Sequence, residues 1–366
     1  MLREGKFGTQ EAVSIVTIAI CNKTLLTSPS YILKELGTSG WYMTFISGIM
    51  AGIAFFLIWL MLKRFPGKNI VEIYDVTLGR GFGLIFSFLL MVSFLVSSGL
   101  YTREFIDVMK VYIFPVTHSG ILIGAEVVLA ASLSFIGLEA IARVAKLAAY
   151  FALFSILLLV VLSSNYFNLS YIFPVLSFGF VKTLTTGITR STAYAEVVIL
   201  AVLAGSIQGT GNIKKAGVAS LIISGAILSL VQLVAILVFS YTGAGEVVSL
   251  MYVLSRIIKL GGFFQRLDPL FLLLFITVST IAVSVLLYTA VSITCKMLRL
   301  QDARPVILPV GLLIFTLAMM PKDLSTLVDV YVPLLRLYGS ITFYILPILV
   351  LIIAILRNKK GEDRHA

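Results

Sequence analysis

Long apolar runs follow one another from one end of the chain to the other, separated by short polar segments. A membrane-spanning helix needs roughly 20 consecutive, mostly apolar residues to cross about 30 Å of hydrocarbon. The pattern therefore predicts ten transmembrane helices, which we number spans 1 to 10. In chain order they are predicted at 10–34, 41–62, 82–109, 119–141, 144–164, 184–207, 216–241, 268–296, 305–320 and 332–356.

Composition and charge agree with a membrane protein. Of the 366 residues, 59% are hydrophobic and 12% are charged, whereas soluble domains contain about 25% charged residues. The net charge of +11 comes from Lys and Arg in short loops, without the aromatic interleaving of a nucleic-acid groove. These basic residues are more frequent in the loops assigned to the side of both termini, for example at Lys63 and Lys214. This bias predicts cytoplasmic termini, contact with anionic lipid and no nucleic-acid partner.

Three short segments are predicted to lie at the membrane surface rather than to cross it. Residues 68–80 and 246–260 mix charged with apolar residues at helical spacing, which favours interfacial helices on the inner and outer side, respectively. Residues 165–182 are aromatic and carry no charge before Lys182, which suits the outer interface.

The ten spans divide into two halves of five, at about 10–164 and 184–356, within one transmembrane domain covering 1–366. Spans 1 and 6 open the two halves, and both are polar in the middle. Because five is odd, structural repeats of this size would have opposite orientations in the membrane. The predicted fold class is an all-α integral membrane protein with a five-plus-five inverted repeat and broken spans 1 and 6.

The centre of span 1 combines polar side chains with a proline. The polar residues are Asn22, Lys23, Thr24, Thr27 and Ser28. Pro29 follows them and lacks the amide that would bond the carbonyl of residue 25. Since a freed carbonyl costs several kcal/mol in lipid, two interpretations stay open. Span 1 is either interrupted beside a ligand cavity, or kinked with its freed groups met by Thr27 or Ser28.

Span 6 carries Thr192, Tyr194 and Glu196 in its first half. A lone charge at this depth costs roughly 2.5–3.5 kcal/mol, so Glu196 is expected to have a partner or a function. Lys23 lies at the corresponding depth of span 1, and we predict that the two side chains pair or line one polar cavity. The alternative is a static pair that only orders the bundle.

Other polar residues complete the predicted site. Span 3 contributes Ser97, Ser98 and Tyr101, and span 8 contributes Ser279, although small hydroxylated residues often serve packing alone. Glu126 in span 4 is either a proton carrier or a partner of Arg103. The pairs Arg103–Asp107 and Glu139–Arg143, each four residues apart, are expected to form at helix ends.

This arrangement suits a small zwitterion such as an amino acid. Its carboxylate would meet helix amides and Lys23, and its amine would meet Glu196 or freed carbonyls. Lys23, Glu126 and Glu196 are candidates for proton or ion coupling. The sequence predicts no metal and no cofactor, and an enzyme is disfavoured because the two histidines, His118 and His365, lie in a loop and the tail.

The chain resembles the spore germination permeases, the B subunits of germinant receptors, within the amino acid, polyamine and organocation transporter superfamily. The resemblance covers essentially the whole chain. It rests on Gly-Lys-Phe-Gly at 5–8 followed by Gln10, on Pro29, on Glu196 and on the run FFQRLDPLFLLLFI at 263–276. Asn22, Lys23 and Thr24 stand where relatives tend to have a glycine, any residue, glycine signature, so the ligand is expected to be smaller, different or absent.

The resemblance implies a LeuT-like permease fold that recognises a germinant, often an amino acid, at the middle of spans 1, 3, 6 and 8. It also implies an A-type membrane subunit and a lipoprotein C-type subunit as partners in the inner spore membrane. The cell membrane is the alternative location. A proton-coupled amino acid transporter and a ligand-free structural subunit are the two alternatives.

Overall fold

The computed structural model describes residues 5–258 and 268–361, and nearly all of this part of the chain is helical. We label the α-helices in chain order. They are α1 (Thr9–Cys21), α2 (Ser28–Leu36), α3 (Gly40–Arg64), α4 (Ile70–Leu78), α5 (Arg80–Tyr112), α6 (Ser119–Ile136), α7 (Leu138–Ser163), α8 (Phe180–Thr189), α9 (Ile199–Val202), α10 (Thr210–Gly245), α11 (Leu250–Ile257), α12 (Asp268–Leu298), α13 (Arg304–Met319), α14 (Leu324–Thr326), α15 (Val332–Gly339) and α16 (Leu346–Leu356).

All ten predicted spans are present as helical segments. Spans 2 to 5 are α3, α5, α6 and α7, and spans 7 to 9 are α10, α12 and α13. Span 10 runs continuously over Leu324–Leu356, with π-helical turns at Leu327–Tyr331 and Ser340–Ile345. Within the described ranges, seven helices are long and apolar enough to cross a membrane. Arg304–Met319 is shorter, and spans 1 and 6 are interrupted.

Some boundaries differ from the predicted ones by more than four residues. Span 4 ends at Ile136 and span 5 begins at Leu138, because Gly137 between them has φ of +116°, a conformation that ends a helix. Span 10 begins earlier than predicted, where Asp323 caps it by accepting a hydrogen bond from the Thr326 amide at 2.7 Å. That bond lowers the pKa of the Asp323 carboxyl.

Span 1 is interrupted rather than kinked. The α-helix ends at Cys21, a 3₁₀ turn covers Asn22–Thr24, and α2 begins at Ser28 with Pro29 in its first turn. Proline is favoured in the first turn because the amides there have no intrahelical partner. Pro29 therefore starts the second half of the span.

Span 6 is interrupted in a different way. Between α8 and α9, residues Arg190–Val198 form an extended 3₁₀ segment. A 3₁₀ run of this length is uncommon, because its hydrogen bonds have poorer geometry than those of an α-helix. Both broken segments lie in the middle of the bundle, where α1 and the 3₁₀ segment pack against each other.

The predicted surface segments are only partly helical. Residues 70–78 form α4, whose start is fixed by reciprocal hydrogen bonds between Asn69 and Glu72. Residues 250–257 form α11, and the predicted segment 246–260 ends outside the described residues. The loop 165–182 contains a 3₁₀ turn at Leu169–Ile172 and the start of α8. The motif at 263–276 begins outside the described residues. Where these segments sit relative to the membrane stays a prediction.

Apolar side chains cover the outside of the bundle as well as its core. Large hydrophobic residues on several spans are exposed, for example Ile121 (68%), Val161 (66%) and Leu312 (59%). Soluble monomers rarely expose continuous apolar surface of this extent. Exposed apolar side chains of this number are what a multi-pass membrane protein needs where it faces hydrocarbon.

Candidate ligand-binding site

A polar cavity lies between the two interrupted spans, bounded by span 3 on one side and span 10 on the other. Its volume is about 50 Å³, and a single water needs roughly 10–15 Å³ of such space. The cavity therefore has room for about three to five waters or a very small ligand. Its polar lining consists of Lys23, Thr27, Ser28, Tyr31, Ser97, Tyr101, Glu104, Thr192, Glu196 and Arg336.

Lys23 and Glu196 form the predicted pair across the two interruptions. The Lys23 Nζ lies 2.6 Å from Glu196 Oε2, and both side chains are buried. Nζ also donates to the Ala193 carbonyl at 2.6 Å, a carbonyl of the 3₁₀ segment. Since a charge-assisted hydrogen bond is about twice as strong as a neutral one, this contact joins the two broken spans firmly.

Tyr101 completes the coordination of Glu196. Its hydroxyl donates to Glu196 Oε1 at 2.8 Å, so both carboxylate oxygens have a protein partner. The Tyr101 ring also lies 5.3 Å from Lys23 Nζ, within range of a cation–π contact. The three side chains thus satisfy one another.

Glu104 and Arg336 also line the cavity, and the sequence analysis did not place them there. Glu104 Oε1 accepts hydrogen bonds from the amide and the hydroxyl of Thr27, which caps the start of α2. Arg336 projects from α15 of span 10. Both are ionisable residues inside a membrane span, which by itself is a signal of function.

The predicted site residues divide into two groups. Seven of them line the cavity: Lys23, Thr27, Ser28, Ser97, Tyr101, Thr192 and Glu196. The other five do not line it: Asn22, Thr24, Ser98, Tyr194 and Ser279. Thr24 donates to the Cys21 carbonyl and borders a separate, mostly apolar cavity. The Tyr194 hydroxyl donates to the Thr44 carbonyl at 2.9 Å, toward span 2.

Asn22, Ser98 and Ser279 are buried, and none of their side-chain polar atoms has a hydrogen-bond partner among the described residues. Buried polar groups normally have partners.

Glu126 lies away from the cavity, and the predicted alternative of pairing with Arg103 is wrong. The Arg103 guanidinium instead bonds Asp107 at 2.8 Å and the carbonyls of Ala318 and Lys322. Glu126 accepts one hydrogen bond, from Thr280 at 3.0 Å, and its other oxygen has no partner among the described residues. The pairs Arg103–Asp107 and Glu139–Arg143 are present as predicted.

A second ion pair joins spans 1 and 6 near the end of α2. Arg190 Nη1 lies 2.9 Å from Glu35 Oε2, and the Arg190 guanidinium lies 5.2 Å from the Tyr31 ring. Tyr31 also lines the cavity. Two separate cross-links therefore hold the broken spans together, one in the middle and one toward the end of α2.

Comparison with known proteins identifies the family of this chain. A family model described as spore germination protein, the spore permease model, matches residues 6–327. The chain belongs to the spore permease family. It is 24% identical to the spore germination protein KB of Bacillus subtilis (strain 168) over 371 residues, covering 99% of this chain and 98% of that protein. It is also 24% identical to the spore germination protein YndE of the same strain over 367 residues, covering 98% of each.

Two solved transporter structures share the fold of this spore permease. Mhp1, a nucleobase-cation-symport-1 family transporter in a closed conformation with bromovinylhydantoin bound, superposes with a TM-score of 0.69 at 12% identity, covering 96% of this chain and 94% of that one. MhsT in complex with L-phenylalanine superposes with a TM-score of 0.67 at 15% identity, covering 98% of this chain and 91% of that one. The fold is therefore the LeuT-like five-plus-five inverted repeat with broken spans 1 and 6.

The segment between spans 7 and 8 of this spore permease contacts the interruption of span 1 directly. Pro29 cannot bond the Leu25 carbonyl, and the Ser249 hydroxyl donates to that carbonyl at 2.9 Å. The Ser249 amide in turn donates to the Tyr112 hydroxyl at 3.1 Å, and Ser249 is fully buried. Ser249 thus supplies the hydrogen bond that the proline removes.

We expect Ser249→Ala to lower the free energy of unfolding by about 1–3 kcal/mol, because the buried Leu25 carbonyl would lose its partner. Chemical unfolding in mixed micelles measures the change. Ser255→Ala on α11 is the matched control, since the buried Ser255 hydroxyl has the Tyr252 carbonyl of its own helix as its one partner among the described residues. Equal stability of the two variants would contradict the role given to Ser249.

Proposed function

We propose that this chain is the B subunit of a spore germinant receptor and that it binds a small germinant, such as an amino acid, in the cavity between spans 1 and 6. The observation that carries the proposal is the buried polar cavity itself, at which two interrupted helices meet and are bridged by Lys23 and Glu196. In a membrane-spanning bundle, irregular backbone and buried charge are tolerated mainly where they line a cavity or a binding site.

The comparisons support the same proposal. The relatives KB and YndE are both named as spore germination proteins, and the solved structure of MhsT contains L-phenylalanine. As a receptor subunit, the chain would have both termini in the cytoplasm, lie in the inner spore membrane, and act with an A-type membrane subunit and a C-type lipoprotein subunit. Ligand binding would then change the conformation of the cavity region, and this change would be transmitted to the partner subunits.

Proton-coupled amino acid transport is the second candidate function. Glu126 favours it, because a buried carboxyl with a single hydroxyl partner is suited to carrying a proton through hydrocarbon. The two fold relatives are transporters or carry a bound ligand. In this case Glu196 and Lys23 would be the other groups that take part in coupling.

Purified chain in proteoliposomes separates these functions. We expect saturable binding of labelled glycine or L-alanine without flux for a receptor subunit, and uptake driven by a pH gradient for a transporter. Lys23→Ala and Glu196→Gln should abolish either signal, because each breaks the bridge that shapes the cavity. Arg143→Gln, which changes an exposed charge, should leave it unchanged.

Two results would count against the proposal. If both cavity variants bind or transport as the unchanged chain does, the cavity is not the site. If the chain inserts and folds but binds none of a panel of amino acids, nucleosides and sugars, a ligand-free structural subunit is the better description.

A further inference from the structure

Two opposite charges face the cavity without contacting each other. Arg336 forms no hydrogen bond or ion pair with any side chain or backbone group that the structure describes. Glu104 is bonded through Oε1 only, and no hydrogen bond from the described residues reaches its Oε2. Glu104 is 5% exposed, so its free oxygen is accessible mainly from the cavity.

The other two charges of the cavity are already satisfied. Lys23 Nζ has Glu196 Oε2 and the Ala193 carbonyl at 2.6 Å each, and Glu196 Oε1 has the Tyr101 hydroxyl at 2.8 Å. A ligand would have to break this network to use it. The sequence analysis assigned the ligand's carboxylate to Lys23 and its amine to Glu196, and the geometry favours a different pair.

We infer that the cavity takes a small zwitterion, with its carboxylate bound by Arg336 and its ammonium group bound by Glu104. This inference rests on the proposed function and specifies its ligand class. A charge removed from bulk water needs a partner of opposite sign, and an amino acid supplies one for each. The planar guanidinium of Arg336 also matches the geometry of a carboxylate.

The charge balance of the lining argues against ligands of a single sign. Lys23 and Glu196 cancel, which leaves one cation and one carboxylate facing the space. A simple anion would leave Glu104 Oε2 without a partner, and a simple cation would leave Arg336 without one. The cavity of about 50 Å³ corresponds to roughly three to five waters, so glycine and L-alanine are the amino acids closest to its size.

The apolar part of the lining leaves limited space for a ligand side chain. This part is formed by Val328, Val332, Leu335 and Phe343 of span 10 and by Ala193 and Ala195 of span 6. We therefore expect a preference for small, apolar side chains.

The experiment is a binding series with four probes on the purified full chain in lipid nanodiscs. Glycine and L-alanine carry both charges, L-alanine methyl ester lacks the carboxylate, and L-lactate lacks the ammonium group. Because a hydrogen bond to a charged partner is worth about 1.5–3 kcal/mol, L-alanine should bind about 10- to 150-fold more tightly than either analogue.

Single variants test which residue binds the carboxylate of the ligand and which binds its ammonium group. Arg336→Gln should lower the affinity for L-alanine to that for its methyl ester, and the affinity for the ester should not change. Glu104→Gln should lower the affinity for L-alanine to that for L-lactate, and the affinity for L-lactate should not change. Arg336→Lys keeps the charge and should recover part of the loss. Asp329→Asn on the same span changes an exposed carboxylate bonded to Ser325, and it should bind all four probes as the unchanged chain does.

The outcomes distinguish this inference from the function on which it rests. If L-alanine binds but both analogues bind equally well, or if neither variant changes the discrimination, the zwitterion subsite is wrong and the receptor proposal stands. If none of the four probes binds, and a nucleoside or a sugar binds in a manner that depends on Lys23, the inferred ligand class is wrong. The cavity is then still the binding site. Failure of every small molecule overturns both.

Discussion

Replacing Lys23 by methionine is expected to lower the free energy of unfolding by about 3–5 kcal/mol, because it leaves Glu196 as an uncompensated buried charge. The Lys23 and Glu196 side chains are only 9% and 5% exposed, and their charged atoms lie 2.6 Å apart. Glu196→Gln should cause a loss of similar size by leaving the ammonium group without its carboxylate. Unfolding of the purified chain in mixed micelles gives both values.

The double variant Lys23→Met with Glu196→Gln separates pairing from packing. Removing both charges of a buried pair is often neutral, so the double variant should recover most of the stability that either single variant loses. It should not recover ligand binding, since the bridge between spans 1 and 6 would be absent. Single losses that simply add in the double variant would show that the two side chains are not coupled.

The exposed pair Glu139 and Arg143 is the control for this cycle. Its charged atoms lie 3.5 Å apart, and the side chains are 48% and 78% exposed. Exposed pairs of this kind contribute about 0.3–0.5 kcal/mol. Arg143→Gln should therefore hardly change the free energy of unfolding. A loss comparable to that of Lys23→Met would mean that burial does not determine how much stability an ion pair contributes.

The spans and their interruptions were predictable because their signals are local. A membrane helix is encoded by a run of apolar residues of fixed length, and proline stops or starts a helix wherever it stands. Pro29 and the polar residues before it therefore located the break in span 1. The pairing of Lys23 with Glu196 was also predictable, because two charges at equal depth in lipid have few other partners.

The composition of the cavity was only partly predictable, since it depends on which faces of the helices meet. Tyr194 was expected at the site and instead bonds the Thr44 carbonyl. In a 3₁₀ segment residues three apart share a face, so Ala193 and Glu196 point one way and Tyr194 another. Glu104 was missed because its neighbours Arg103 and Asp107 gave a sufficient helix-end explanation for the charges there.

Close helix packing was the feature least accessible from the sequence. The chain has 28 glycines, and nothing local distinguishes those that pack tightly. At Gly217 of α10, a Cβ atom would lie 2.0 Å from the Cζ of Phe55 in α3. At Gly225 of the same helix, the nearest such contact is the Tyr194 hydroxyl at 3.8 Å, which is an ordinary van der Waals distance.

We expect Gly217→Ala to lower the free energy of unfolding by about 1–3 kcal/mol, the usual effect of overpacking a filled core. Phe55 is only 1% exposed, so its ring cannot move aside without displacing other core residues. Alanine also has a helix propensity about 1 kcal/mol better than that of glycine, and this gain opposes the clash. Unfolding in mixed micelles, with secondary structure followed by circular dichroism, measures the net change.

Gly225→Ala has the same gain in helix propensity without the clash, so it should be neutral or up to about 1 kcal/mol more stable. The difference between the two alanine variants therefore isolates the contact between spans 2 and 7. Combining Gly217→Ala with Phe55→Leu should restore part of the loss, because the shorter side chain frees the space that the new methyl group needs. If Gly217→Ala is as stable as Gly225→Ala, α10 and α3 do not pack as closely as the structure places them.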